Sequence, residues 1–305
     1  MIRGKDLLAE RIPLFELVIN ILLNGIFYAG ILFLISAGLQ IIFGVLRIVN
    51  FAHAGAYILG IYFTYAIIKA FPPEYSFLLW MAPLIAAAFV GLLGLAFERG
   101  LLKLIYHRDH VFQILVTAGV VYIVDDLIRF TWGGYSIGVG PLTSATVNIG
   151  GVVYPLYNLL IILITLAVAV LLQILFRKTD IGRIIRATAH DEEMTKAMGV
   201  NVGMVKALTF LFGSAIAGLA GGLMLPVTGG WPGVGNEYLI LSFVVIALAG
   251  LGSVNGALIA SLIIGMVNSI GIQFFPELEL ALIFIIMAVI LTVKPSGLFG
   301  AVPRR

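Results

Sequence analysis

No cysteine occurs anywhere in the 305 residues. Disulfides, thiolate metal sites and cysteine nucleophiles are therefore excluded. Charge is nearly as scarce. Asp, Glu, Lys and Arg make 11% of the chain, where soluble domains carry about 25%. Too little polar surface exists to cover a soluble globule of this size. The phosphate-cradling pattern Gly-x-x-x-x-Gly-Lys-Ser/Thr is missing, so ATP hydrolysis by that route is excluded. So is His-Glu-x-x-His, the common zinc-peptidase pair. The sequence points to no catalytic residue, cofactor or metal.

What is present is apolar. Hydrophobic residues make 61% of the chain, with a mean hydropathy of +1.14. The bilayer is the natural solvent, and the expected fold is all-α: a polytopic transmembrane bundle, residues 1–305 forming one domain. The net charge of +3 suits loop residues that set orientation, not nucleic-acid binding. The N-terminal MIRGKDLLAERIP mixes both signs and has no small-residue cleavage site. It reads as an amphipathic lead-in helix, not a removable signal.

A crossing takes about 20 apolar residues. Residues 77–97, 111–128, 156–176, 207–227 and the shorter 280–293 qualify. Lys and Arg divide the connections in two. Segment 98–110 holds Arg99, Lys103 and Arg108; segment 177–206 holds Arg177, Lys178, Arg183, Arg186, Lys196 and Lys206; the tail holds Lys294, Arg304 and Arg305. The alternate connections 69–76, 129–155, 228–238 and 274–279 hold only Lys69 and Arg129. The basic set, with the C-terminus, is expected to face the cytosol. Arg3, Lys5 and Arg11 place the N-terminal tail there too.

Two regions fit this scheme poorly. Residues 14–46 are too long for one simple crossing and contain Gly25, Gly30, Gly38 and Gly44; residues 239–273 are interrupted by AGLGSVNGA at 249–257. The side assignments predict a crossing over about 14–36 followed by a dip ending near Gly44–Asn50. They predict a second dip to midplane that returns from Gly256. VNFAHAGAYILG at 49–60 aligns with VNGALIASLIIG at 254–265. Paired broken segments point to a transport path, here Asn50, His53, Gly55, Gly252, Asn255 and Gly256. The competing reading is ordinary helices with glycine at close contacts. External loop 129–155, rich in Gly, Ser, Thr and β-branched residues, suits a small hairpin.

Residues 186–203 read RATAHDEEMTKAMGVNVG. Thr188 with Asp191 three positions on resembles a capping box. Acids follow in the first turn, Lys196 falls in the last, and Gly199 stands where a left-handed cap is wanted. The cues predict a helix over 189–198. It is too short to stand alone. It rests either on the membrane surface or in a groove on a cytosolic partner.

Other polar groups have competing readings. Asn50 and His53 either satisfy backbone freed at a break or meet substrate. His107, His110 and His190 read as solvated. Asp125, Asp126 and Arg129 suit a local ion pair or snorkelling near the interface better than proton coupling. Arg47 is open to a carbonyl, a partner chain or a water cavity. GSAIAGLAGG at 213–222 puts small residues at helical spacing, as close helix packing requires.

Segments 38–62 (GLQIIFGVLRIVNFAHAGAYILGIY), 186–223 and 247–265 resemble, in order, the branched-chain amino acid permease family, on the side of its H-type subunit. Ala54 departs from that pattern, which often has Gly directly after the His; Gly55 follows. Segment 186–199 resembles the coupling loop of ABC-importer permeases. The resemblance implies docking of an ATPase through Arg186, Ala187, Asp191, Glu192, Met194, Ala197, Met198 and Gly199. It implies an M-type permease partner, two cytosolic ATPase subunits, an external solute-binding protein and a prokaryotic inner membrane. The substrate would be branched-chain or related amino acids, or urea and short amides. The alternative is a self-sufficient secondary transporter or channel for small polar solutes.

Overall fold

A computed structural model describes residues 13–71 and 76–300. It is helical, with a single hairpin among the described residues. Helix α1 spans Leu14–Leu46 and α2 His53–Ala70; α3, Ser76–Phe97, runs through a π-helical turn at Glu98–Leu102 into α4, Lys103–Ile105. Helix α5, His110–Trp132, leads to the hairpin strands β1, Thr146–Ile149, and β2, Val152–Pro155. Then come α6 Leu156–Lys178, α7 Asp180–His190, α8 Glu192–Ala197 and α9 Val202–Thr228. Helices α10 Val234–Ala249, α11 Val254–Phe274 and α12 Glu279–Val293 complete the order. Seven helices among the described residues are long and apolar enough to cross a membrane. All five crossings expected from hydropathy are among them.

The bundle has two ends. One gathers the basic segments: Tyr106 donates to Glu98, Lys206 pairs with Glu192 at 2.7 Å, and Phe299 lines a cavity with Arg177 and Arg186. The other carries the hairpin, whose register sets Thr146 opposite Pro155 and Ile149 opposite Val152. Its turn residues Gly150 and Gly151 both take positive φ, 59° and 95°, as tight hairpin turns demand.

Residues 14–46 form one helix of 33 residues, about 50 Å long. No turn occurs near residue 36. Its glycines are contact points: a Cβ at Gly25 would crowd Met266 and the Gly265 carbonyl, and one at Gly38 would overlap the Gly213 carbonyl. The helix stops at Arg47, which adopts φ 53°. Leu14 also starts at the hairpin end, because Phe15 and Ile19 lie beside Gly150 and Glu16 beside Gly151. The expected start of this crossing, on the side of the basic segments, is therefore corrected. The tail with Arg3, Lys5 and Arg11 lies outside the described residues.

The two interrupted regions do hold short helices. Helix α2 starts deep: His53 bonds the Ile35 carbonyl, and Ser36–Leu46 extend about 17 Å further toward the basic end. It then runs to the hairpin end. Helix α10 has 16 residues and starts at the same depth, where Gly235 packs under Ala54. It runs the opposite way, to the basic end, and α11 crosses back in full. The second short helix is thus α10, not the start of α11.

Glycine contacts knit α1, α2, α9 and α11 into the core. A Cβ at Gly60 would overlap the Gly218 carbonyl, and one at Gly221 the Tyr57 carbonyl. Helices α5, α6 and α12 instead expose much of their apolar surface, as with Phe130, Leu171 and Val289. Gly60→Ala is expected to cost about 1–3 kcal/mol by overpacking. Gly119, with open space around it, should gain about 0.5–1 kcal/mol on the same change. Thermal melting of both purified variants in detergent checks the contrast.

Candidate functional site

At the basic end the fold must manage the break between α10 and α11. Gly250 and Gly252 take φ 87° and 82°, which removes Leu248, Ala249 and Gly250 from a continuous ladder. Unpaired backbone at this depth is costly. The Gln40 side chain of α1, fully buried, spans the gap. Its amide nitrogen donates to the Gly250 carbonyl at 2.8 Å and the Ser253 carbonyl at 3.3 Å. Its oxygen accepts from the Gly252 N–H at 2.9 Å. The C-terminal segment completes the repair: the N–H groups of Leu298 and Phe299 donate to Leu248 and Ala249. Sequence reasoning passed over Gln40. The signal was an amide inside the apolar stretch 26–46.

The other break lies between α1 and α2. His53 Nε2 is 2.9 Å from the Ile35 carbonyl. A carbonyl only accepts, so the proton is on Nε2 and Nδ1 is a bare acceptor. Asn50 is 1% exposed. Neither its amide atoms nor His53 Nδ1 has a hydrogen-bond partner among the described residues. The backbone turn is closed by main chain instead, His53 N–H to Asn50 O and Ala54 N–H to Phe51 O. Gly55 faces Val124 of α5.

The six expected path residues therefore form two groups. Asn50, His53 and Gly55 sit at the α1–α2–α5 junction. Gly252, Asn255 and Gly256 sit around Gln40, which is five positions beyond Ile35 on α1, about 7 Å along the axis. Asn255 is exposed and Asn50 buried, so the aligned asparagines occupy unlike surroundings. Asp125 also departs from expectation. Among the described residues it forms no ion pair with Arg129; it accepts from the Gly233 N–H at 3.3 Å, at the start of α10. That amide is one of the helix's orphan donors, and Asp125 is the buried acid able to meet it.

Residues 180–199 make two helices, not one over 189–198. Thr188 is buried in the last turn of α7 and donates to the Ile184 carbonyl, so it caps nothing. Asp191 is the cap of α8, accepting from the Met194 N–H at 2.9 Å. An aspartate in extended conformation ends one helix and starts the next, a choice that the Thr-x-x-Asp spacing obscured. Glu192 and Glu193 do occupy the first turn, and Gly199 takes φ 85°. Met194 and Met198 stand 62% and 77% exposed.

Two ties hold this segment to the bundle. Arg47 donates to the Ala189 carbonyl at 3.0 Å, which chooses the carbonyl among the three readings of that arginine. Lys206 of α9 pairs with Glu192 at 2.7 Å and lies 4.7 Å from the Tyr106 ring. Tyr106 in turn donates to buried Glu98. Burial first, and then this bond, hold the Tyr106 pKa well above the usual phenol value. At the hairpin end, Gly134-Tyr135-Ser136-Ile137-Gly138 has hydrolase-like spacing. It lies in irregular chain after α5, without the strand-to-helix elbow that such a serine needs.

Long apolar helices and two interrupted regions define a polytopic helical membrane protein. The profile of the family "Branched-chain amino acid transport system / permease component" matches residues 21–291, and the chain belongs to that family. It is 27% identical over 294 residues to the high-affinity branched-chain amino acid transport system permease protein LivH of Escherichia coli K12, covering 91% of this chain and 94% of that one. It is 26% identical over 292 residues to BraD of Pseudomonas aeruginosa, covering 92% and 94%. The solved structure of PsaBC from Streptococcus pneumoniae in complex with Fab overlaps with a TM-score of 0.46 at 14% identity, covering 92% of this chain and 91% of that chain.

Gln40→Leu strands the Gly252 N–H at the α10–α11 break and takes one of two donors from the Gly250 and Ser253 carbonyls, which keep the Ser253 and Ala257 N–H groups. An unpaired group costs about 1–3 kcal/mol. The variant should melt markedly lower than wild type in detergent, and amide exchange should rise first at residues 248–256.

Proposed function

We propose that this chain is the H-type, membrane-spanning subunit of an ATP-driven importer for branched-chain or related amino acids. It acts as one permease domain beside an M-type permease. Two cytosolic ATPase subunits dock on residues 186–199, and an external solute-binding protein delivers substrate to the hairpin end. The basic end, with the C-terminus, faces the cytoplasm of a prokaryotic cell, and the start of α1 faces outward. The observation that carries this reading is the α8 knob. Two exposed methionines are held on a capped turn too short to be stable alone, tied to α1 and α9 but left uncovered by the described residues. Methionine suits a soft, adaptable contact. The ties give the knob a mechanical route: Arg47 leads to the α1–α2 break, and Lys206 leads to α9, which packs on both.

Docking predicts that a cysteine at Met198 cross-links to a nucleotide-hydrolysing subunit in native membranes. With that cysteine in place, Met194→Glu should weaken the capture by about tenfold or more, as loss of a central contact does. Uptake should fall while membrane insertion is unchanged. Uptake by the purified chain alone in liposomes, driven by an ion gradient, would instead establish a secondary transporter.

The path in this reading passes the α1–α2–α5 junction, where Asn50 and His53 Nδ1 are buried without partners among the described residues. Such groups oppose stability. Asn50→Val should therefore raise the melting temperature and lower transport by the reconstituted complex, because fold and path make opposite demands on this side chain. Equal or faster uptake at higher stability would take Asn50 out of the path.

A further inference from the structure

A second feature of the basic end lies beyond the transport reading. A cavity of about 530 Å³ opens between α1, α6, α7 and the α10–α11 break. Arg177, Arg186, Gln173 and Asn255 line it, and no lining residue is acidic. Both arginines are exposed, and neither has an ion-pair partner among the described residues. Arg47 stands at the rim through its bond to the Ala189 carbonyl, and Ala189 is itself a lining residue. Among the described residues no acidic lining group offsets these arginines. Gln40 and Ser253 line it as well, and the apolar Ile41, Val45, Leu172 and Phe176 run from the cavity along α1 and α6 into the membrane-spanning part.

Positive groups at the level of the bilayer surface, above an apolar wall that continues into the hydrocarbon, match an anionic phospholipid. We propose that this cavity binds the phosphodiester headgroup of an anionic lipid of the basic-end leaflet, with an acyl chain laid against Leu172 and Phe176. Arginine grips phosphate through its planar fork, and pockets of this kind at helix ends hold acidic headgroups. Val254 and Asn255 add the first turn of α11 to the same wall, so the positive end of that helix contributes to the field. The bound headgroup bridges α7 and the α10–α11 break, and lipid composition becomes a determinant of how stiffly these two are joined. Arg186 belongs to the proposed docking segment but lines this cavity, whereas Met194 and Met198 form the exposed knob.

The test uses the full chain in nanodiscs. Phe176→Trp reports from the cavity, and its emission is read as the difference from the parent chain, whose three tryptophans are at positions 80, 132 and 231. Brominated phosphatidylglycerol should quench this signal preferentially over brominated phosphatidylcholine. Removing Arg177 or Arg186 with glutamine should weaken the preference about fivefold each, and removing both about thirtyfold. Inorganic phosphate should leave the quenching unchanged, because it lacks the chain; displacement by phosphate would show a free-anion site and overturn the lipid assignment. Equal quenching by the two lipids, or full preference in the double variant, would overturn it as well. Should Phe176→Trp fail to fold, lipid retained by the unsubstituted chain decides by mass spectrometry. Phosphatidylglycerol enriched over its share of the bilayer supports the site, and its presence at bulk proportion refutes it.

Discussion

Every backbone N–H and C=O inside a bilayer must find a partner within the protein, and this chain interrupts its helices at depth in two places. The solution differs between them. At the α10–α11 break a single amide, Gln40, meets two carbonyls and one N–H, and the C-terminal strap meets two more carbonyls. At the α1–α2 break the main chain closes its own turn, and Asp125 meets the orphan end of α10 from α5. The position of α1 against α10 is therefore fixed by polar geometry as well as by packing. Side chains on continuous helices hold the interrupted ones.

That arrangement needs close approach. Hydrocarbon gives no hydrophobic drive between helices, so contact depends on fit and on small residues. Gly25 with Gly265, Gly38 with Gly213 and Gly60 with Gly218 let α1, α2, α9 and α11 touch backbone to backbone. The elements attached to the proposed docking segment belong to this tight set. Arg47 ends α1, and Lys206 lies in the second turn of α9. A displacement of α7 and α8 would thus reach the interrupted core directly, while α5, α6 and α12 sit at the rim with their apolar faces turned outward.

The five simple crossings were legible because length and hydropathy alone define them. So were the basic end, the hairpin, the first-turn acids of α8 and the cap at Gly199. Depth was not legible. A helix of 33 residues and a helix plus a dip have the same hydropathy, and glycines within α1 read as breaks when they are contacts. The tail's Arg3, Lys5 and Arg11 then favoured the wrong end for Leu14. Thr188 misled for a local reason: its hydroxyl satisfies the i−4 carbonyl equally well inside a helix, so a Thr-x-x-Asp spacing does not tell a cap from a last turn. The pairing of Gln40 with residues more than 200 positions away carries no local signature beyond an amide in an apolar run.

Moving the start of α1 to the hairpin end changes the count of passages in a consistent way. The chain then leaves the hairpin end at Leu14 and finishes at the basic end near Gly300, with α2 and α10 each covering only part of the distance. Their first turns meet, Ala54 against Gly235 and the Tyr57 ring 4.6 Å from that of Tyr238. From that meeting point one short helix rises to each face. Two helix starts close together place partial positive charge in the interior, and Asp125 answers one of them. Asn50 and His53 Nδ1, unpaired among the described residues beside the other, are what a bundle built for stability alone would have replaced with apolar side chains. Their retention at the shared origin of both short helices is an energetic argument that this point, more than the cavity at the basic end, is where the fold has been held back from its most stable form.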